Sequence, residues 1–379
     1  MDNINYECEI LNMKKKFFTW ILTAMLLFLS VIHFGPTELR AAGKSGEYAS
    51  DETDRGKKKM EITISAVGDC TLGSDRSSPA SVNFYSVYNR KKDPAYFFKR
   101  VKKIFMEDDM TLANFEGTLT KRTTRAPKKF AFKGNPGYVK ILKRGSIEAV
   151  GFANNHCRDF GNGSYSDTIN AFRKAGITYS SYAKTSIFKV KGKRIGMISV
   201  NGLEGMYSAR QLIAGGMKTL KKKRAQICIV SIHAGVEHNY SVSGIQKSIA
   251  RYAVDQGADL VLGHHPHVLQ GIERYKGVYI VYSLGNFCFG GNTNPSDKDT
   301  MIFQQTFLFQ GNKLKKNKSR VKIIPCSISS VSNINNYQPA PAKGKARARI
   351  LGKIDSMCGP LGLTLRNKKG KLTSALRKK

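Results

Sequence analysis

The chain is short of acid: 27 Asp and Glu stand against 63 Lys and Arg in 379 residues, a formal net charge of +36. An imbalance of this size speaks to partners and solubility, not to fold. It leaves anionic polymers, anionic lipid headgroups and nucleic acid as candidate partners. Seven cysteines are present, but there is no Cys-x-x-Cys pair and no framework spacing, so no essential disulfide is expected. Four of them sit inside or beside apolar runs, where a cysteine acts as a small buried hydrophobe. No internal repeat is found, and there is no stacking aromatic pattern or nucleic-acid recognition motif. An apolar fraction of 41%, with glycines spread among periodic segments, is globular composition.

One long apolar run is present. Lys14, Lys15 and Lys16 precede Phe17 to Phe34, which contains no Asp, Glu, Lys or Arg. Its length is just enough to cross the hydrocarbon core of a bilayer. The lysine flank should stay inside, exporting everything that follows. An uncleaved anchor is favoured over a cleaved signal, because a cut after Ala41 would place Leu39 at a position that needs a small residue. The expectation is residues 1–42 as signal anchor or signal peptide, 43–60 as polar linker, 61–338 as the folded domain and 339–379 as a basic tail, partly ordered at best. The protein is then a single-pass cell-membrane protein with an extracytoplasmic domain, or a secreted one if the segment is cleaved.

From Glu61 onward strand-like and helix-like segments alternate, which predicts an α/β architecture. Ile62, Ile64 and Ala66 alternate into Gly68-Asp69, and Met110 to Ala113 leads into Asn114-Phe115-Glu116. Ala149 to Ala153 runs into Asn154-Asn155-His156, and Ile227 to Ile232 ends at His233. Helical periods cover Ala95 to Met106 and Tyr165 to Ala175. Ser243 with Gln246 forms a capping box for a helix placing Ile245, Ile249 and Tyr252 on one face.

Polar residues gather where these apolar strands stop, the position at which open α/β folds bind ligands. His265-Pro266-His267 is the sharpest case: two imidazoles on a stiff loop can converge on one ion, and imidazole is the commonest metal ligand. Asp69, Asn114 with Glu116, Asn155 with His156, and His233 stand at four further strand ends. Each alone could cap a turn. Five together point to metal, and their oxygen and imidazole donors suit Mn²⁺, Fe²⁺ or Zn²⁺ without a thiolate.

Gly68-Asp69, Asn114-Phe115-Glu116, Ala153-Asn154-Asn155-His156, Gly263-His264-His265-Pro266-His267-Val268 and Tyr282-Ser283-Leu284-Gly285-Asn286-Phe287, in that order, resemble the bacterial CapA family of poly-γ-glutamate capsule synthesis. That family is a branch of the calcineurin-like metallophosphoesterases, so the resemblance implies a four-layer α/β/β/α sandwich. It implies Asp69, Glu116, Asn155, His233, His265 and His267 as ligands of one or two divalent ions. His156 becomes the acid and Asp159 its orienting partner, while Arg76, Asn114, Glu237 and His264 become candidate substrate contacts. Two departures stand out. Thr71 occupies a place where many relatives carry a histidine ligand. The usual His-Trp-Gly-x-Glu-Tyr reads His233-Ala234-Gly235-Val236-Glu237-His238.

The resemblance also implies a role in capsule or polyglutamate production, as a metal-dependent hydrolase activating a water for in-line attack. The alternative is a non-catalytic subunit that grips the polymer beside a membrane synthase or exporter. A general envelope phosphatase is a third reading. Poly-γ-glutamate, teichoic acid or anionic lipid fits the basic excess better than nucleic acid does, since an exported protein seldom meets nucleic acid.

Overall fold

The computed structural model describes residues 58–368 and 371–378. The expected span at 17–34 and nearly all of the linker lie outside the described residues. Among the described ones no helix is long and apolar enough to cross a membrane.

Two sheets build the fold. The first takes β1 (Lys59–Thr71), β2 (Met110–Phe115), β3 (Ala149–Gly151) and β4 (Thr178–Ser180) as parallel neighbours. The second contains β5 (Ser186–Val190), β6 (Lys193–Asn201), β7 (Ile227–His233), β8 (Leu260–His264), β9 (Ile272–Tyr275) and β10 (Val278–Val281). Its order is β9-β10-β8-β7-β6-β5, with β6, β7, β8 and β10 parallel. The chain then returns to the first sheet. On the side of β1 away from β2, β11 (Asn286–Phe289) pairs in parallel with the end of β1, while β12 (Asp299–Gln310) and then β13 (Arg320–Ser327) extend the sheet antiparallel.

The side-chain period of two explains the layers. Ile62, Ile64 and Ala66 of β1 meet Met197, Ile229 and Leu262 of the second sheet in one central core. The opposite face of the first sheet, with Val67, Ala113 and Val150, packs on Phe84 of α1 (Phe84–Lys91), Phe105 of α2 (Lys102–Met106), Leu142 of α3 (Val139–Arg144) and Phe172 of α4 (Gly161–Ala175). The outer face of the second sheet, with Ile198, Val230 and Val261, is covered by Ile213 of α5 (Met206–Lys222) and Ile249 of α6 (Gly244–Asp255). Strands apolar on both faces are what a parallel sheet covered on both sides requires.

Several expectations need correction. The capping box forms: Ser243 Oγ accepts from Gln246 N at 3.2 Å and Gln246 Oε1 from Ser243 N at 3.0 Å. The buried face of α6 is Ile249, Ala250, Ala253 and Val254, whereas Ile245 in its first turn is 55% exposed. The period read over Ala95 to Met106 breaks into a short 3₁₀ turn, Pro94–Tyr96, and the five-residue α2. The described part of 339–379 is not a loose tail. It carries α7 (Gly344–Cys358), whose Ile350, Leu351, Ile354 and Cys358 close the central core, and a hairpin of β14 (Leu363–Lys368) and β15 (Lys371–Lys378). Arg349 of α7 donates to both oxygens of Asp299, at 2.5 and 2.6 Å.

Two carboxyls, Asp108 ahead of β2 and Glu148 ahead of β3, meet at Thr111 of β2. Burial pushes Asp108 up to about 6 and Glu148 up to about 7, against hydrogen bonds from Thr111 Oγ1 and Thr111 N, each at 2.8 Å. Both values lie above those of an unfolded chain, so the native state holds more protons between about pH 4 and 7. Stability from this pair is therefore greatest at the acid end and is lost as the pH rises through 6 and 7. Melting curves of the double variant Asp108→Asn/Glu148→Gln are expected to show a flatter decline over that window than the wild type. Parallel profiles would contradict the assignment.

Candidate metal centre

Register sets the centre. Asp69 of β1 stands level with Asn114 of β2 and with Asn286 of β11, and the pairing is irregular on either side of it. Such irregularities re-aim a side chain at a strand end. In the second sheet His233 of β7 stands level with His264 of β8. Glycines allow the close approach: a Cβ on Gly68 would lie 1.8 Å from the Gly285 carbonyl oxygen, and one on Gly263 would lie 2.0 Å from that of Tyr282. His265 and His267 both hold positive φ, 97° and 58°, on either side of Pro266. Non-glycine residues in that region are strained, and such strain gathers at functional sites.

Two donor groups result. Asp69, Glu116 and His233 place ligand atoms within 4.8 Å of one another, and so do Glu237, His265 and His267. His267 joins the two, with Nδ1 at 3.3 Å from Asp69 Oδ2 and Nε2 at 3.7 Å from Glu116 Oε1. Asn155 Oδ1 reaches His233 Nε2 at 2.9 Å. The expected ligands from Asp69 to His267 thus meet in one place, although the strands come from different sheets.

Glu116 is the telling member. It is fully buried, and neither carboxylate oxygen has a hydrogen-bond partner. Burial pushes it up to about 8; His267 opposes this, while the charges of Asp69, Asp159 and Glu237 add to it. A buried carboxylate without a partner is costly unless a cation is near. Asp69 goes the other way: burial works to raise it, but the contacts from His264 and His267 outweigh that and hold it well below the usual range. For His267, burial opposes protonation, yet the carboxylates of Glu116 and Asp69 push it up to about 9. Burial, then the neighbouring His267, lowers His265 to about 4. Burial lowers His233 as well. An oxygen and imidazole set with one orphaned carboxylate fits a divalent cation.

His156 has its own support. Its Nδ1 lies 2.7 Å from Asp159 Oδ2, and Lys128 Nζ donates to Asp159 Oδ1 at 2.8 Å and to the Asn155 carbonyl oxygen at 2.8 Å. Asp159 Oδ2 also accepts from Phe132 N at 2.6 Å. The ring packs on Phe132 with centroids 4.4 Å apart, and its Nε2 stands 3.7 Å from Glu116 Oε1. Burial lowers its pKa, with Asp159 opposing.

The residues expected to meet substrate divide. Asn114 and His264 are each 1% exposed, as deep as the candidate ligands Asp69 and His233. Asn114 Nδ2 donates to Asp69 Oδ1 at 2.8 Å, and His264 Nδ1 lies 3.1 Å from the same oxygen, so both position Asp69. Glu237 is exposed and faces His265 and His267 as a further donor. Arg76 is exposed and pairs with no other described residue. Thr71 Oγ1 is buried without a hydrogen-bond partner. Sequence reasoning missed Asn286, whose Oδ1 meets His267 Nδ1 at 2.8 Å, and Lys128. Asn286 was within reach, since it lies at the start of the Asn286-Phe287 strand. Lys128 was not, because its segment has no periodicity. The six described cysteines are free and buried.

Fold and site together define an α/β protein whose strand ends gather two adjoining groups of candidate metal ligands. The chain belongs to the bacterial capsule synthesis protein family PGA_cap, whose sequence model matches residues 63–291. It is 31% identical over 317 residues to the PGA biosynthesis protein CapA of Bacillus subtilis (strain 168), covering 77% of each chain. To the capsule biosynthesis protein CapA of Bacillus anthracis it is 30% identical over 274 residues, 65% of this chain and 64% of that one. A Mycobacterium tuberculosis protein named "Probable polyglutamine synthesis accessory protein" is 27% identical over 208 residues, 47% of this chain and 55% of its own. Every residue of the two donor groups lies inside the family match.

Proposed function

We propose that this chain serves capsule or poly-γ-glutamate synthesis at the cell envelope as a metal-dependent hydrolase of the phosphoesterase type. The fold in this reading is the calcineurin-like four-layer sandwich, and the apolar segment 17–34 tethers the domain outside the membrane. The observation that carries it is the pair of adjoining donor groups around the orphaned Glu116 carboxylate. Asp69, Glu116 and His233, with Asn155 at their edge, would hold one divalent ion, and Glu237, His265 and His267 a second; Mn²⁺, Fe²⁺ and Zn²⁺ suit these donors. Such ions supply Lewis acidity and an acidified water.

The chain's own residues do the rest. Asp159 accepts only, so His156 donates its Nδ1 hydrogen to it and keeps Nε2 for proton transfer. Lys128 fixes the other oxygen of Asp159, which leaves the pair one orientation. His156 Nε2 faces the centre beside Glu116, where, once it has taken up a proton, for instance from the attacking water, it can pass that proton to a leaving oxygen. Asn114 and His264 hold Asp69 in place from below, and Asn286 turns the His267 ring.

Elemental analysis of the purified protein, followed by hydrolysis of a generic phosphodiester, tests this. The wild type is expected to retain divalent metal and to turn over, and His265→Ala/His267→Ala to lose both. Equal activity in the two proteins would end the claim. A second reading, an accessory subunit that grips polymer beside a membrane synthase, is favoured by the name of the mycobacterial relative and by Thr71 standing in a usual ligand position. Polymer binding that survives chelation, with no turnover, would select it.

A further inference from the structure

A cavity of about 460 Å³ opens where the hairpin β14–β15 folds against the turn between β9 and β10. Arg274, Arg320, Arg366, Arg377 and Lys378 line it, and among the described residues no carboxylate does. Cations gathered around one volume repel each other unless something neutralises them. The chain does little of that itself. Arg320 reaches out to Glu61 at 2.7 Å in an exposed pair, and Arg274 lies over the Tyr279 ring, 5.4 Å from its centroid. Arg366, Arg377 and Lys378 are exposed and have no polar partner among the described residues. An anion would balance this set of charges. Guanidinium groups match carboxylates in bidentate fashion, and Leu376 adds an apolar wall suited to methylene groups.

The cavity is separate from the metal centre. Tyr279 pairs with Leu260, the first residue of β8, whereas His264, the last, belongs to the centre. Four residues of strand set the two about 13 Å apart along its axis. Four of the five cations, Arg320, Arg366, Arg377 and Lys378, also lie beyond the family match, which ends at residue 291. We infer that this cavity is a second binding site, taking a short run of carboxylates on an anionic chain. The choice of a polycarboxylate rests on the proposed role in polyglutamate synthesis; the cavity's preference for anions does not.

Fluorescence anisotropy with a labelled, short γ-linked glutamate oligomer tests the inference on the full-length protein. The variants are Arg366→Gln/Arg377→Gln and a control of equal charge on α5, Lys221→Gln/Lys222→Gln. Loss of two charge-assisted contacts is expected to weaken binding at least about tenfold in the first, with little change in the control. Because both pairs are exposed, both variants should melt with the wild type. Equal weakening in the two variants, or no binding by the wild type, would overturn the site. Binding of a short polyphosphate in preference to the glutamate oligomer would overturn the carboxylate assignment. Metal content and phosphodiester turnover report separately on the first reading. A protein without either that still loses the oligomer only in the cavity variant ends that reading and leaves this one standing.

Discussion

Glu116→Gln is expected to abolish tight uptake of divalent metal and to cut phosphodiester turnover about a thousandfold, the several kcal/mol that charge stabilisation by an ion contributes. The same change should raise the melting temperature of the metal-free protein. Glutamine keeps the shape of the side chain and spares the cost of holding a proton on, or a charge in, a fully buried carboxyl that has no hydrogen-bond partner and that burial pushes up to about 8. Such a group destabilises the native state unless a cation accompanies it. Activity and stability thus move in opposite directions, the signature of a residue kept for chemistry and not for packing. A variant that melts lower than wild type without metal would mean that Glu116 already has a stabilising partner.

Removing the acid should separate turnover from metal binding. His156→Ala is expected to lower turnover by about a hundredfold to ten-thousandfold, with metal content unchanged, since His156 belongs to neither donor group. Asp159→Asn should cost about tenfold to a hundredfold, because the ring loses the acceptor 2.7 Å from Nδ1 that fixes its orientation. Loss of metal from either variant, measured by elemental analysis, would move His156 from proton transfer into the ligand set.

Much of this centre could be read from the sequence, because strand ends are visible as places where an apolar run meets Asp, Asn or His. Asp69, His233 and His265 were marked that way, and the register of β1, β2, β7 and β8 brings them together. What one dimension hides is direction. Asn114 and His264 look like the other polar residues at strand ends, but their side chains turn to Asp69. Lys128 reaches Asp159 from a stretch with no period at all. The C-terminal stretch misled for another reason: its lysines and arginines mask the spacing of Ile350, Leu351, Ile354 and Cys358, which is that of one helix face. Charge reports the solvent side of such a helix, and the core depends on the other.

The amide of His265 donates to Asp69 Oδ2 at 3.3 Å across 196 residues of sequence. No local segment can therefore assemble these donors. They exist as a set only after both sheets have docked, and an ion that selects the set selects the native state over every unfolded one. Free cation at a hundred times its dissociation constant would add about 2.7 kcal/mol to the unfolding free energy. On the proposed function, a medium stripped of such ions is expected to cost the protein thermal resistance together with turnover.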